Sequence, residues 1–295
     1  MMLKNKLPAV SDPEGTGLPG YFPFTIDAHV HIFPENIFRS VWKWFDKYGY
    51  PIRYRFDTPK LLHFLLSKGI GHIIALQYAH KPGISRGLNR FMAETCKQFP
   101  HKITGMATVF PGEEDAGDIL KEAFDSGLKG VKLHTHVQCF DMNSKDACII
   151  FDICASENMP IVIHAGREPN SPAYLCNPYE LCSADKLERI LQNFPGLKIC
   201  VPHLGANEYI SYKRLTEKYD NLWLDTAMVL TDYFPGNSPF PLHEMRSDRI
   251  MYGSDFPNIP FSWDRELRQI EKAGFSHDTL QKILGKNAAG FFSTV

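Results

Sequence analysis

The chain has 295 residues, of which 44% are hydrophobic and 22% charged, and its formal net charge is −1. That length fits one (β/α)8 barrel of about 250 residues, or two small domains. Acidic and basic residues balance without a long basic run, so nothing marks a nucleic-acid or anionic-membrane partner, and no apolar stretch approaches the ~18 residues of a spanning helix.

Residues 1–23 form a polar, Pro/Gly-rich arm without the apolar run and small-residue cleavage site of a signal peptide. Beyond it, residues 24–295 alternate short β-branched runs with helical patterns, which predicts an α/β protein built as a single-domain TIM barrel. Eight strands are expected, at 24–29, 72–77, 103–109, 130–134, 160–164, 197–203, 222–225 and 250–254. Helical spacing is clearest at 87–98, 113–126, 145–157 and 184–193, several of them closed by Gly, Asn or Pro. Long connections follow strands 1, 5 and 7 (32–58, 165–183 and 226–248), on the side where a barrel builds its active site. The first is aromatic, with Phe33, Phe38, Trp42, Trp44, Phe45, Tyr48, Tyr50 and Tyr54. It reads equally as a helix packed on the barrel or as a cover over a substrate. Cysteines at 96, 139, 148, 154, 176, 182 and 200 are odd in number and form no C-x-x-C pair. Neither a disulfide framework nor a zinc ribbon is indicated, and a reducing, cytoplasmic compartment is expected.

The chemistry-bearing residues stand where strands end. In Ile26-Asp27-Ala28-His29-Val30-His31, alternation puts His29 and His31 on one face, and paired imidazoles suit a divalent metal of the zinc type. One His-x-His among 12 histidines is a weak sign. The apolar runs that end in His164, His203 and Asp255 repeat the pattern, and a closed barrel would bring all these strand ends to one mouth. Strand 4, Gly130-Val131-Lys132-Leu133-His134-Thr135-His136, sends Lys132, His134 and His136 to one face. A buried lysine there must be paired, carboxylated or functional.

In this order the segments resemble the amidohydrolase superfamily, and specifically the amidohydrolase-related group that includes aminocarboxymuconate-semialdehyde decarboxylase. The resemblance runs from Asp27-Ala28-His29-Val30-His31 through Gly130-Val131-Lys132-Leu133-His134, Ile163-His164-Ala165-Gly166, Leu222-Trp223-Leu224-Asp225-Thr226 and Tyr252-Gly253-Ser254-Asp255-Phe256-Pro257 to Asn287-Ala288-Ala289. It departs at Thr135, where a proline often follows Lys-Leu-His. It implies one divalent metal, usually zinc with manganese as the alternative, on His29, His31, His164 and Asp255. His203 would stand beside the reacting group, and Lys132 and His134 would serve a second metal or the substrate.

The expected activity is hydrolysis of a small ester, lactone or amide by metal-activated water, with Asp255 as proton acceptor and His203 polarising the carbonyl. The alternative is non-oxidative decarboxylation of an aromatic or enol acid at the same site. Arg53, Arg55 and Arg167, in the loops after strands 1 and 5, are candidates for gripping a carboxylate. A third reading, a non-catalytic barrel, gives no reason to concentrate ligands at strand ends. The partner expected is a small-molecule substrate. A homo-oligomer is compatible with the sequence.

Overall fold

Eight short strands rich in Ile, Val and Leu run in chain order with helices between them. They are β1 (Ile26–His31), β2 (His72–Leu76), β3 (Ile103–Gly105), β4 (Val131–His134), β5 (Ile161–His164), β6 (Ile199–Val201), β7 (Leu222–Asp225) and β8 (Ile250–Met251). The computed structural model describes residues 10–231 and 241–294. Residues 1–9 of the arm and 232–240 of the third long connection lie outside the described residues.

All ladders are parallel, in the orders β1-β2-β3 and β4-β5-β6-β7-β8. Bridges Ala107↔Val131 and Val30↔Phe256 close the circle. The strands are almost wholly buried, as expected of parallel strands covered by helices outside and side chains within. Among the described residues no helix is long and apolar enough to cross a membrane.

Several helices begin where a side chain can satisfy a free N–H: Asp57 caps the helix Thr58–Ser67, Ser144 caps Lys145–Ser156 and Ser183 caps Ala184–Asn193. A small core inside the barrel joins Ile26, Ala28, Ile74, Met106, Val162 and Met251 to Phe291 and Phe292 of the terminal helix. A much larger core lies between strands and helices.

Three predicted strands are shorter than expected. β3, β6 and β8 stop at Gly105, Val201 and Met251, and the chain beyond each leaves the ladder. After β6 and β8 it turns into left-handed backbone, at His203 (φ 58°), Leu204 (φ 49°) and Asp255 (φ 63°).

The aromatic connection after β1 forms α1 (Glu35–Tyr48), a helix packed on the barrel. Phe38 is buried against the barrel, whereas Trp44 stacks on Tyr174 of the β5 loop at 5.6 Å. Tyr50 donates from its hydroxyl to the Asn258 carbonyl at 2.9 Å. The arm is tied to the same end of the barrel. Asp12 accepts from Ser262 Oγ at 2.7 Å and lies 3.2 Å from Arg268, and Glu14 lies 3.1 Å from Arg53.

Candidate functional site

β1 does not run straight. Its pairing with β2 slips between Asp27 and Val30, and over that stretch the strand pairs with the chain after β8 instead. Ala28 N donates to Tyr252 O, Asp255 N to His29 O and His31 N to Phe256 O. Asp27, buried beneath, locks the two segments by accepting from His29 N (3.2 Å), Ser254 N (3.0 Å) and Ser254 Oγ (2.6 Å). Burial pushes its carboxyl up to about 7, against those hydrogen bonds. Gly253 is required here, since a Cβ on it would sit 2.8 Å from His29 Cβ.

The result is a buried cluster of His29, His31 and Asp255. His29 Nε2 lies 3.1 Å from His31 Nε2 and 3.4 Å from Asp255 Oδ1, and His31 Nε2 lies 3.1 Å from that same oxygen. Asp225, at the end of β7, fixes the tautomer: its Oδ2 accepts from His29 Nδ1 at 2.8 Å, which leaves a lone pair on Nε2. Asp225 Oδ1 also accepts from His203 N (3.0 Å) and Ala227 N (3.1 Å). Burial lowers His29 to about 4 despite the opposing field of Asp225, so the imidazole is neutral at neutral pH. For Asp255, burial would raise the carboxyl, but the His31 hydrogen bond and the imidazoles around it hold it below the usual carboxylate range.

A lone pair, a second imidazole nitrogen and a carboxylate oxygen thus converge with at most one shared proton among them. His31 Nδ1 is buried without a partner. This donor set fits a divalent cation: it joins nitrogen to carboxylate oxygen and carries a carboxylate–histidine support behind it.

In the β4–β5 register His134 pairs with His164, and their rings stack at 4.3 Å. His164 forms a second group of possible ligands with His134 and His136. Burial takes His164 down to about 3 and His134 well below its ordinary value. His203 stands between the groups, its ring 5.4 Å from that of His29 and 4.9 Å from that of His164. His203 Nδ1 must donate to the Ala227 carbonyl at 2.8 Å, so a neutral His203 offers a lone pair at Nε2.

Lys132 is wholly buried and its Nζ has no hydrogen-bond partner. Register places it inside the barrel level with Val162 and Cys200, below the two histidine groups. Burial lowers it to about 8, against the fields of Asp225 and Asp255.

The three candidate arginines all have partners within the chain. Arg53 donates to Asp12 O at 2.6 Å and pairs with Glu14, and Arg55 pairs with Asp46. Arg167 donates to Tyr179 O and Cys182 O at 3.2 and 3.1 Å and faces Glu208. Each loop folds back and supplies its own acceptors. Sequence reasoning also passed over Asp225 and Glu168. Asp225 ends an apolar strand as Asp255 does, which was a usable signal. Glu168 lies in a loop and carried none.

Parallel strands ringed by helices, with imidazoles and carboxylates at their C-terminal ends, define a (β/α)8 barrel with its polar centre at the mouth. The chain matches the amidohydrolase family over residues 26–294 and belongs to it. No curated protein matches the sequence. Among solved structures, an uncharacterised TIM-barrel protein from Bordetella bronchiseptica is 17% identical over 91% of this chain and 98% of its own, with a TM-score of 0.72. A 5-carboxyvanillate decarboxylase from Novosphingobium aromaticivorans, complexed with manganese and a nitrobenzoic acid, is 18% identical over 95% and 99%, TM-score 0.66. A probable 2-pyrone-4,6-dicarboxylic acid hydrolase from Acinetobacter baumannii with citric acid bound is 16% identical over 92% and 100%, TM-score 0.61. These likenesses establish the shared barrel.

Proposed function

We propose that this chain is a metal-dependent hydrolase of a small ester, lactone or amide, with one divalent cation on His29, His31 and Asp255. The observation that carries the reading is the convergence of His29 Nε2, His31 Nε2 and Asp255 Oδ1 within 3.1–3.4 Å, with Asp225 behind His29. Zinc suits the donors, and manganese is the ion named with the decarboxylase neighbour. When bound, such a cation supplies Lewis acidity that polarises a carbonyl and acidifies water.

The chain's own residues do the rest. Asp255 accepts a proton at its carboxylate during attack. His203 takes or returns a proton at Nε2, and in its protonated form it donates to the developing oxyanion. This modifies the role expected from sequence, because the neutral ring presents an acceptor. The left-handed backbone at both residues is strain of the kind that collects at functional sites. Trp44, stacked on Tyr174, covers one side of the mouth and limits water access.

The second reading is decarboxylation, favoured by the activity named for the manganese-bound neighbour. Asp255→Asn, assayed against lactones, esters, amides and aromatic acids with both hydrolysis and carbon dioxide followed, separates the two. Hydrolysis by the wild type, lost by about a hundredfold or more in the variant, supports the proposal. Carbon dioxide release without hydrolysis moves the reaction to the second reading, and a variant with wild-type turnover removes Asp255 from the chemistry.

A further inference from the structure

We infer that Cys139 and Cys176 are a modification site, a thiol pair that exchanges with small-molecule disulfides and then pins the loop after β5 across the mouth. Their sulfurs face each other at 2.7 Å although they stand 37 positions apart in the chain. Both thiols donate to one acceptor, the His136 carbonyl, at 3.4 Å from Cys139 Sγ and 3.0 Å from Cys176 Sγ. A disulfide bond of about 2.05 Å asks the sulfurs to approach by only a fraction of an ångström more.

The two thiols sit on unlike supports. Cys139 belongs to a turn fixed to the barrel by its buried neighbour Gln138. The Gln138 Oε1 accepts from His134 N at 2.7 Å, and its Nε2 donates to Ala79 O at 3.0 Å and Val109 O at 2.9 Å. Cys139 itself has φ 50°, a left-handed conformation that a residue with a side chain adopts at a cost. Cys176 belongs to the long connection 165–183, which carries Tyr174 to the mouth. There Tyr174 stacks on Trp44 at 5.6 Å, lies 4.7 Å from the His136 ring and donates to Glu168 Oε1 at 2.8 Å. Leu175, between Tyr174 and Cys176, is 95% exposed and adds no burial to hold the stretch down. A bond from Cys176 to the fixed turn therefore adds a covalent tie to a cover held by ring contacts and a hydrogen bond.

The chemistry is two successive exchanges. Cys139 is the exposed thiol among the seven cysteines. As the thiolate it attacks one sulfur of a small disulfide, RSSR, forming a mixed disulfide and expelling RS−, which takes up the proton Cys139 gave up. Cys176, deprotonated in its turn, attacks the Cys139 sulfur and expels the second RS−. The protein loses two protons and two electrons, RSSR is reduced to two RSH, and excess thiol runs the sequence backwards. The effect on substrate entry rests on the hydrolase or decarboxylase reading, whereas the bond and its hold on the loop stand without it.

The test adds oxidised glutathione to the fully reduced chain, alkylates the remaining thiols after denaturation and maps the peptides by mass spectrometry. The expected product joins Cys139 to Cys176, with a mass about 2 Da below the sum of the two reduced peptides. Two of the seven cysteines escape alkylation, and dithiothreitol restores them. Amide hydrogen exchange across 165–183 should slow by about tenfold in the oxidised chain and recover on reduction. Cys139→Ser, a change at an exposed position, should lose both the cross-link and the slowing. Glutathione adducts without the cross-link, a cross-link between other cysteines, or a cross-link that leaves exchange unchanged each overturn the inference. If Cys139→Ser does not fold, the wild-type peptide map and exchange rates decide. Neither readout uses turnover, so a failure of the catalytic reading is told apart from a failure of this one.

Discussion

The Asp225 carboxylate touches no reacting group, yet exchanging it for the isosteric amide should weaken the metal centre. In Asp225→Asn the amide oxygen can still accept from His203 N and Ala227 N, now 3.0 and 3.1 Å from Oδ1. Its NH2 then meets His29 Nδ1, where the carboxylate accepted at 2.8 Å. Two donors cannot share that contact, so His29 must move its proton to Nε2, the atom that faces His31 and Asp255. The charge-assisted hydrogen bond lost is worth about 1.5–3 kcal/mol. Support of this kind behind a histidine ligand is worth about 10–100-fold in metal affinity, or roughly 1.4–2.8 kcal/mol. Competition of wild type and variant against a zinc chelator, at fixed pH, reads the difference directly. An unchanged affinity in a variant with native circular dichroism would refute the tautomer argument.

Two further substitutions test the scaffold. Glu266 is 2% exposed and accepts from Leu230 N at 3.2 Å. Burial raises its carboxyl well above the usual range, so the folded protein holds a proton that the unfolded chain releases above about pH 4.3. Stability therefore falls as pH rises from there towards the folded value, and Glu266→Gln, which mimics the protonated group, should flatten that fall. Thermal midpoints at pH 5 and pH 8 should differ more in the wild type than in the variant, and equal slopes would contradict it. Gly253→Ala forces a methyl to within 2.8 Å of His29 Cβ and should cost about 1–3 kcal/mol in a urea titration, together with loss of metal. A variant with wild-type stability and metal content would show that β1 and β8 can part without consequence.

The barrel was legible because its strands carry their information locally. Runs such as Pro160-Ile161-Val162-Ile163 admit few alternatives, and β7 lies at 222–225 as predicted. The histidines at strand ends were visible for the same reason, since an apolar run that stops at an imidazole breaks its own pattern. What failed was the continuation of that pattern. β3, β6 and β8 were extended too far because the residues that follow remain apolar, while left-handed turns take His203 and Asp255 out of the ladder.

Long-range partnership was not legible at all. Arg53 looked available until Asp12 and Glu14 of the arm were seen beside it, and Glu168 acquired meaning only from His136 and Tyr174. The chain by itself determined the fold class and that His29, His31, His134, His164, His203 and Asp255 share one mouth, because strand period and strand order are properties of local sequence. Tertiary structure alone decided how those histidines divide into two groups, because that depends on strand register, on the slip in β1 and on which carboxylate reaches which ring.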